Sequence, residues 1–196
     1  MSSGRRNHRG GDVTASRRGA VFLDRDGTLV RDPGYLHDPA LVQLLPGAVD
    51  GLHLLARAGW PLVVVSNQSG IARGLFGPGA FHAVMARIEE LLAPHGVRFT
   101  GVYYCPHHPD FTGPCSCRKP GVELFERAAR ELGLDLRRSW FVGDMLKDAA
   151  PAARLGGRGI LLGIPAAADA QRTRDLGLAV TLDLEGAAAL IGAPTG

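Results

Sequence analysis

The sequence lacks several features that would place it in a special class of protein. Its 196 residues contain three cysteines, an odd number that excludes a complete disulfide framework. No run approaches the ~20 apolar residues that a membrane helix needs, and the first residues lack the apolar segment of a secretory signal. There is also no internal repeat. We therefore expect a soluble, cytoplasmic chain with one domain at 19–196 and no membrane partner.

A broad positive charge is also missing, although the net charge is +3 and the isoelectric point is near 9.0. Residues 1–18 carry five arginines and one aspartate, which leaves 17 basic and 18 acidic residues in 19–196. This nearly neutral body offers no track for nucleic-acid phosphates, so we expect no nucleic-acid partner. The basic tail at 1–18 has few apolar residues and is expected to be disordered, as a solvated extension or as a contact for a polyanion.

Short apolar runs alternate with longer amphipathic segments from residue 20 onward. The apolar runs predict strands at 20–24, 61–67, 101–105, 139–144, 158–163 and 178–183. Helical spacing predicts helices at 47–59, 79–96, 121–133 and 185–191, with a short helix ending at Leu155. This alternation favours right-handed βαβ units. We therefore predict an α/β fold, a three-layer α/β/α sandwich around a mostly parallel sheet.

Polar residues follow three of these predicted strands at the point where each apolar run ends. They are Asp24, the pair Ser66–Asn67 and the pair Gly143–Asp144. In parallel sheets, ligands bind at the carboxyl ends of the strands. The three strand ends therefore predict one shared site.

The segment LDRDGTL at 23–29 is the strongest local motif. Asp24 and Asp26 leave a buried strand together and could both reach one Mg²⁺, which prefers oxygen ligands. Gly27 lets the backbone turn sharply after them. Two aspartates at this spacing are also compatible with a simple Asp-Gly turn, but the complete Asp-x-Asp-Gly-Thr sequence after a buried strand favours the metal site.

The remaining polar residues suit phosphoryl transfer, which needs positioned hydrogen-bond donors, a cation and a metal ion. Ser66 offers a hydroxyl group, and Lys119 is one of only two lysines in the chain. Asp144 and Asp148 stand four residues apart around a predicted helix start, where they could supply a metal ligand and a supporting carboxylate. Asp144 alone could also act as a helix N-cap.

Taken in chain order, four segments resemble the motifs of the haloacid-dehalogenase (HAD) superfamily of phosphatases. They are LDRDGTL at 23–29, SN at 66–67, Lys119 and GDMLKD at 143–148, and the resemblance spans about 20–163. It implies that Asp24 is a nucleophile that forms an aspartyl-phosphate. It also implies that Asp26 is first a general acid and then a general base.

The same resemblance implies the roles of the other motif residues. Ser66 and Lys119 would hold the oxygens of the transferred phosphoryl group. The implied Mg²⁺ ligands are Asp24, the backbone carbonyl of Asp26, and Asp144, with Asp148 in a supporting position.

All three cysteines lie with histidines in a predicted loop at 104–120. The set Cys105, His107, Cys115 and Cys117 matches a closed tetrahedral zinc site. His108 could replace His107 as the fourth ligand, and the alternative interpretation is buried thiols beside a surface histidine. A closed site has no open coordination position, so this zinc is expected to order the loop and to perform no chemistry.

The zinc loop before Arg118 and Lys119, with SNQSGIARG at 66–74 and DPGY at 32–35, resembles the heptose-bisphosphate and histidinol-phosphate phosphatase group. The resemblance implies substrate contacts by Asp32, Pro33, Gly34, Tyr35, Asn67, Gln68, Ser69 and Arg118. It also implies a phosphorylated sugar as substrate. The preferred one is D-glycero-D-manno-heptose 1,7-bisphosphate, hydrolysed at the 7-phosphate.

Three other interpretations stay open at this point. They are a histidinol-phosphate phosphatase, a nucleic-acid 3′-phosphatase, and a catalytically dead, zinc-stabilised binding module. About 36 residues separate Leu29 from Ser66, which leaves little room for a cap domain. We therefore expect an open site on a monomer, with specificity supplied by short loops.

Overall fold

The computed structural model describes residues 18–192, which contain one sheet of six parallel strands. The strands are β1 (Val21–Leu23), β2 (Leu62–Asn67), β3 (Gly101–Cys105), β4 (Trp140–Gly143), β5 (Arg158–Leu162) and β6 (Ala179–Thr181). Their order is β3-β2-β1-β4-β5-β6, and every neighbouring pair is parallel. All six predicted strands are present, each within two residues of its expected bounds.

Nine α-helices connect or flank these strands in the described part of the chain. They are α1 (Ala48–Arg57), α2 (Ser69–Ala72), α3 (Pro78–Leu92), α4 (Pro109–Thr112), α5 (Glu123–Leu132), α6 (Leu146–Ala149), α7 (Pro151–Leu155), α8 (Ala167–Asp175) and α9 (Leu184–Ile191). The sequence did not predict α2, α4 or α8. The first two have only four residues each, and α8 buries only Thr173, so none of them has a usable apolar period.

The two faces of the sheet carry separate apolar cores. Val21 and Leu23 belong to the core that α1, α3 and α9 cover. Phe22 belongs to the other core, where it packs on Phe125 of α5 and stacks on Phe141 with ring centroids 5.1 Å apart. Successive residues of a strand point to opposite faces, so β1 contributes to both cores. This arrangement confirms the three-layer α/β/α prediction.

The strand order reverses beside β1, since β2 and β3 lie on one side of it and β4, β5 and β6 on the other. In a doubly wound sheet such a reversal leaves a crevice at the carboxyl ends of the strands, where ligands bind. Asp24 follows β1 directly, and Gly143 is the last residue of β4. The topology therefore places both residues at this crevice.

Most of the predicted disordered tail lies outside the described residues, as do residues 193–196. Arg18, its last residue, is described, and its carbonyl oxygen accepts a hydrogen bond from the Asp135 amide at 3.0 Å. Between β1 and β2 the described chain holds only the short 3₁₀ helix Pro39–Leu41 and α1, which confirms that no large cap domain is inserted there. Within 18–192, no helix has the length and apolar character needed to span a bilayer.

Candidate active site

The polar residues predicted from three strand ends meet at one edge of the sheet. The amide of Asp24 donates to the carbonyl oxygen of Val142 at 3.0 Å, so the residue after β1 is still tied to β4. A cleft of about 280 Å³ opens at this edge. Its lining residues are Asp24, Arg25, Asp26, Asp32, Gly34, Tyr35, Ser66, Asn67, Gln68, Ser69, Gly70, Arg118, Asp144, Met145 and Lys147.

Lys119 lies below the cleft, where its ammonium group contacts two carboxylates. Its Nζ lies 2.7 Å from Oδ1 of Asp24 and 2.7 Å from Oδ1 of Asp148, and it donates to the carbonyl oxygen of Val65 at 2.6 Å. The residue is only 3% exposed. Burial opposes its charge, but Asp148 and Asp24 outweigh burial and raise the pKa of Lys119 above its usual value. The lysine is therefore a fixed cation at the base of the site.

The side chain of Asn67 fixes the backbone of Lys119, although 52 residues separate them. Its Nδ2 donates to the Lys119 carbonyl oxygen at 3.1 Å, and its Oδ1 accepts from the Lys119 amide at 2.9 Å. Both ends of the Asn67 amide are thus engaged with the lysine. Its predicted contact with substrate stays a prediction.

Three carboxylates at this edge form a group that suits a divalent cation. One oxygen each of Asp24, Asp144 and Asp148 lies within 4.8 Å of the others. Lys119 supplies one positive charge against three potential negative charges, and oxygen donors are the ligands that Mg²⁺ prefers. Partial burial, then Asp148 and Asp24, raises the pKa of Asp144 to about 6. The excess of negative charge and the donor chemistry fit Mg²⁺.

Gly27 is needed where the first motif passes the Asp144 carboxylate. A Cβ at Gly27 would lie 2.3 Å from Oδ2 of Asp144, closer than any real contact, and the residue has a φ of 78°. This explains physically why a glycine follows the second aspartate of the motif.

Asp26 is held apart from the other three carboxylates by a different set of partners. Its Oδ1 accepts from Arg25 Nε at 2.9 Å, and its Oδ2 accepts from Arg25 Nη2 at 2.8 Å and from Gln68 Nε2 at 2.9 Å. Burial raises the pKa of Asp26, while the Arg25 guanidinium acts in the opposite direction. The net effect is a pKa of Asp26 above the usual value of an aspartate.

The four predicted zinc ligands converge in the loop between β3 and α5. The sulfur–sulfur distances are 3.0 Å for Cys105–Cys117, 3.5 Å for Cys115–Cys117 and 3.7 Å for Cys105–Cys115. His107 Nδ1 lies 3.3 Å from the Cys117 sulfur and 3.8 Å from the Cys105 sulfur. A tetrahedral zinc with bonds of about 2.3 Å would separate sulfurs by about 3.8 Å. The cluster therefore has the donor set and approximate dimensions of a zinc site.

His108, the alternative fourth ligand, faces a different group of residues. Its Nε2 lies 3.2 Å from Nη2 of Arg73, and its Nδ1 accepts from the Asp110 amide at the start of α4. The metal-binding group contains His107 and not His108. The geometry thus favours the first of the two predicted histidines.

The zinc loop is attached to the rim of the cleft. Arg118 Nη1 donates to the carbonyl oxygen of His107 at 3.2 Å, and the amide of Gln68 donates to the Cys105 carbonyl at 2.8 Å. The guanidinium of Arg73 also lies between the rings of Tyr35 and Phe111, 5.9 Å and 4.6 Å from their centroids. These contacts connect the zinc loop with both neighbouring loops that line the site.

The predicted substrate loop at 32–35 is a tight turn beside the cleft. The amide of Gly34 donates to Oδ1 of Asp32 at 2.8 Å, and Tyr35 is 42% exposed with a φ of 57°. Asp32, Gly34 and Tyr35 line the cleft. Pro33 is exposed and is not a lining residue, so its contact with substrate stays a prediction.

Four lining residues were not predicted from the sequence: Arg25, Gly70, Met145 and Lys147. Arg25 lies between the two motif aspartates. The motif alone is compatible with either an exposed or a buried side chain at this position. The structure buries it to 1% exposure. The available signal was its adjacency to Asp26, but a charged residue at a strand end does not by itself indicate burial.

Comparison with known proteins agrees with this fold and site. A family model described as HAD-hydrolase-like matches residues 116–186. The crystal structure of the D,D-heptose 1,7-bisphosphate phosphatase from B. bronchiseptica, complexed with magnesium and phosphate, has a TM-score of 0.77 and 31% identity. The match covers 88% of this chain and 97% of that one. The fold and site thus define a hydrolase of the HAD type.

The sequence relatives are more specific. A relative from Yersinia pestis called D-glycero-beta-D-manno-heptose-1,7-bisphosphate 7-phosphatase is 40% identical over 173 residues, 84% of this chain and 92% of the relative. A relative of the same name from Photorhabdus laumondii is 41% identical over 165 residues, 80% of this chain and 88% of the relative. The chain therefore belongs to the heptose-bisphosphate phosphatase family of the HAD superfamily, which confirms the resemblance inferred from its motifs.

Proposed function

We propose that this chain hydrolyses the 7-phosphate of D-glycero-β-D-manno-heptose 1,7-bisphosphate through a phosphoaspartate on Asp24. The observation that carries the proposal is the position of Asp24 on the cleft wall, with its Oδ1 fixed 2.7 Å from the Lys119 ammonium. One carboxylate oxygen is thereby anchored, which leaves the other to react. The name of relatives about 40% identical to this chain supports the substrate.

In the first step a carboxylate oxygen of Asp24 attacks the phosphorus atom. The bond from phosphorus to the sugar oxygen breaks, and that oxygen keeps the electron pair and takes a proton from the Asp26 carboxyl group. The Ser66 hydroxyl would bind a phosphoryl oxygen, and the positive charge of the Lys119 ammonium beneath Asp24 would stabilise the negative charge of the transition state. Covalent catalysis of this kind replaces one difficult step with two easier ones.

In the second step a water molecule attacks the phosphorus atom of the phosphoaspartate. The bond from phosphorus to the Asp24 oxygen breaks, and the Asp26 carboxylate accepts a proton from the water. Inorganic phosphate leaves, Asp24 regains its carboxylate and Asp26 regains its proton. Asp26 thus acts as acid and then as base, and the cycle closes.

Mg²⁺ would be held by carboxylate oxygens of Asp24 and Asp144 and by the backbone carbonyl of Asp26. It would supply positive charge to neutralise the phosphate and the crowded carboxylates. Asp148 is better placed as a support, because its Oδ1 faces Lys119 and its Oδ2 accepts from the Met145 amide at 3.2 Å. Its 3% exposure also separates it from the cleft.

Zinc would be held by Cys105, His107, Cys115 and Cys117, a donor set that leaves no open position for substrate. Its contribution is structural: it would hold the loop that leads through Arg118 into Lys119. The binding energy of such a site is folding energy of the loop.

The substrate is a small phosphorylated sugar, and its distal end would contact the loops around the open cleft. Arg118 and Lys147 line this cleft and carry positive charge suited to a second phosphate. Asp32, Gly34, Tyr35 and Ser69 line the same cleft and offer polar groups for sugar hydroxyls. A bisphosphate therefore fits the charge of the rim better than a substrate with a distal amine.

The test is a phosphate-release assay on the purified full chain with Mg²⁺, using the heptose bisphosphate and histidinol phosphate. We expect kcat/KM for the bisphosphate to exceed that for histidinol phosphate by about 10-fold or more, since one charge-assisted contact is worth about 1.5–3 kcal/mol. Chelation of Mg²⁺ should abolish release. A preference for histidinol phosphate would overturn the substrate assignment, and no release from either ester would overturn the phosphatase proposal.

A further inference from the structure

A continuous chain of hydrogen bonds joins four side chains beside the cleft. Arg25 donates to both carboxylate oxygens of Asp26, and its Nη2 also lies 3.1 Å from Gln68 Oε1. Gln68 Nε2 in turn donates to Oδ2 of Asp26 at 2.9 Å and to Oγ of Ser66 at 2.8 Å. Two of these residues, Asp26 and Ser66, are assigned to the chemistry, while Arg25 is not.

Arg25 is an unusual residue to find in a buried position. Its side chain is 1% exposed, its guanidinium lies 5.3 Å from the centroid of the Phe81 ring, and its Nη1 has no hydrogen-bond partner. Burying a charge is costly unless the charge is paired, and a well-packed apolar side chain would serve core stability as well. The presence of a guanidinium here therefore points to its bidentate contact with Asp26.

The orientation of the Gln68 amide is determined by its neighbours. Oε1 faces the Arg25 cation, so both Nε2 hydrogens must point the other way, toward Asp26 and Ser66. Because Ser66 Oγ accepts from Gln68, its own hydrogen stays available for a phosphoryl oxygen. Gln68 is 3% exposed, and all polar atoms of its side chain have partners within the protein. The side chain is therefore better suited to orienting Asp26 than to the predicted direct contact with substrate.

Within residues 18–192, the Asp26 carboxyl accepts hydrogen bonds from the side chains of Arg25 and Gln68 alone. It is not part of the carboxylate group of Asp24, Asp144 and Asp148, whose oxygens lie within 4.8 Å of one another. Its side chain is 19% exposed, so one side faces the cleft. Three hydrogen bonds from Arg25 and Gln68 restrict its carboxyl group to one orientation. Oδ2 accepts two of them and Oδ1 accepts one, so Oδ1 keeps a lone pair that can carry the proton.

We propose that Arg25 and Gln68 are positioning residues that aim the Asp26 carboxyl at the leaving oxygen. This rests on the proposed phosphatase function. In the step concerned, the sugar–phosphorus bond breaks, the sugar oxygen keeps the electron pair, and the proton moves from Asp26 to that oxygen. Misplacing the acid slows this step only when the leaving oxygen needs the proton.

The test compares esters with different leaving groups in the first turnover. The heptose bisphosphate and histidinol phosphate are alkyl phosphates. Their leaving group is a basic alkoxide, which needs a proton from the enzyme. The leaving group of 4-nitrophenyl phosphate is the stable 4-nitrophenolate, which needs no proton from the enzyme. For Gln68→Met and Arg25→Lys we expect first-turnover release of the alcohol to fall about 100-fold, the scale of general-acid catalysis. Release of 4-nitrophenol should stay within about 5-fold of wild type.

Because Asp26 is also the base of the second step, the variants should accumulate phosphoenzyme from 4-nitrophenyl phosphate. This appears as a burst of 4-nitrophenol followed by slower turnover. A purely structural role for Arg25 or Gln68 would slow both esters alike and give no burst. If Arg25→Lys fails to fold, Gln68→Met carries the same test without removing the buried charge.

Two exposed residues supply matched controls. Gln171→Met changes a glutamine in α8 that bonds only Asp175 and Arg174, and Arg87→Lys changes an arginine paired with Glu90 at 3.0 Å. Both should match wild type on both esters. Equal losses on both esters in the Gln68 and Arg25 variants would overturn the positioning role and leave the phosphatase function intact. Failure of the wild type to release phosphate from any ester would instead overturn the phosphatase function.

Discussion

The two groups of side chains that could bind metal ions in this molecule have different structural supports. Asp24 and Asp144 follow β1 and β4, adjacent strands in the middle of the sheet, and the parallel pairing of these strands fixes the backbone that leads into both residues. Cys105 ends β3, which is an edge strand, and His107, Cys115 and Cys117 lie in a loop whose only helix is the four-residue α4. The first group is positioned by the fold, whereas the second must be positioned largely by its own ligand bonds.

We expect the two groups to depend on a bound metal ion to different degrees. The carboxylates repel one another, so the proposed Mg²⁺ would reduce the repulsion in an arrangement that the sheet already imposes. The thiols and imidazole have little regular backbone structure behind them, so the proposed zinc would supply the energy that orders them. The two groups meet at Lys119, which is two residues beyond Cys117 and contacts both Asp24 and Asp148.

We expect the greatest loss of activity from a substitution that alters the carboxylate group alone. Asp24→Asn should abolish turnover, by at least about 10³-fold, because an amide cannot form the phosphoaspartate. The fold should persist, since Lys119 keeps its contacts with Asp148 and Val65. The measurements are phosphate release and thermal unfolding, with mass spectrometry to exclude deamidation to aspartate. Near-wild-type turnover by the intact variant would refute the mechanism.

A substitution of one cysteine should alter the proposed zinc site alone. Cys117→Ser, or Cys115→Ser, should lose the metal and lower the free energy of unfolding by at least about 3 kcal/mol, a fall in Tm of about 6–12 °C for a chain of this size. Activity should fall as a consequence, because Lys119 loses the loop that places it. The measurements are zinc content, Tm and kcat.

Ser116→Ala is the matched control for the zinc group. Ser116 stands between two ligands, and its hydroxyl contacts Glu123, but it is not part of the cluster. This variant should keep its zinc and lose little stability. Purified wild-type protein that contains no zinc and is fully active would contradict the proposed metal site.

The same contrast explains what the sequence could predict. The strand ends and the motif of Asp24 were predictable because apolar runs and local spacing are visible in a single chain. The convergence of the three cysteines and His107 was predictable because all four lie within 13 consecutive residues. The contacts of Arg25 were not, because they join it to Gln68, 43 residues away, and to the carbonyl of Leu36. Helix α8 was missed because it buries only Thr173 and so has no apolar period to detect.

A smaller effect concerns the rim that the zinc loop presents to substrate. Arg118 lines the cleft, and its Nη1 donates to the His107 carbonyl. Its guanidinium should attract a second phosphate and repel the amine of histidinol phosphate. Arg118→Ala should therefore lower the ratio of kcat/KM for the bisphosphate to kcat/KM for histidinol phosphate by about 10- to 100-fold. Most of this change should come from a lower kcat/KM for the bisphosphate. An equal loss on both substrates would show that Arg118 acts only by packing on the zinc loop.

The smallest effect tests the link between the two groups. Asn67 makes two hydrogen bonds to the backbone of Lys119, and each is worth about 1 kcal/mol, so Asn67→Ala should lower kcat by about 10-fold through displacement of the ammonium group. Zinc content should stay at the wild-type value, because Asn67 is not part of the zinc cluster. Asn67→Asp keeps an acceptor for the Lys119 amide but cannot donate to its carbonyl, so it should lose less activity. Loss of zinc in Asn67→Ala would contradict this prediction. It would show that the two hydrogen bonds of Asn67 hold the zinc loop as well as the lysine that follows it.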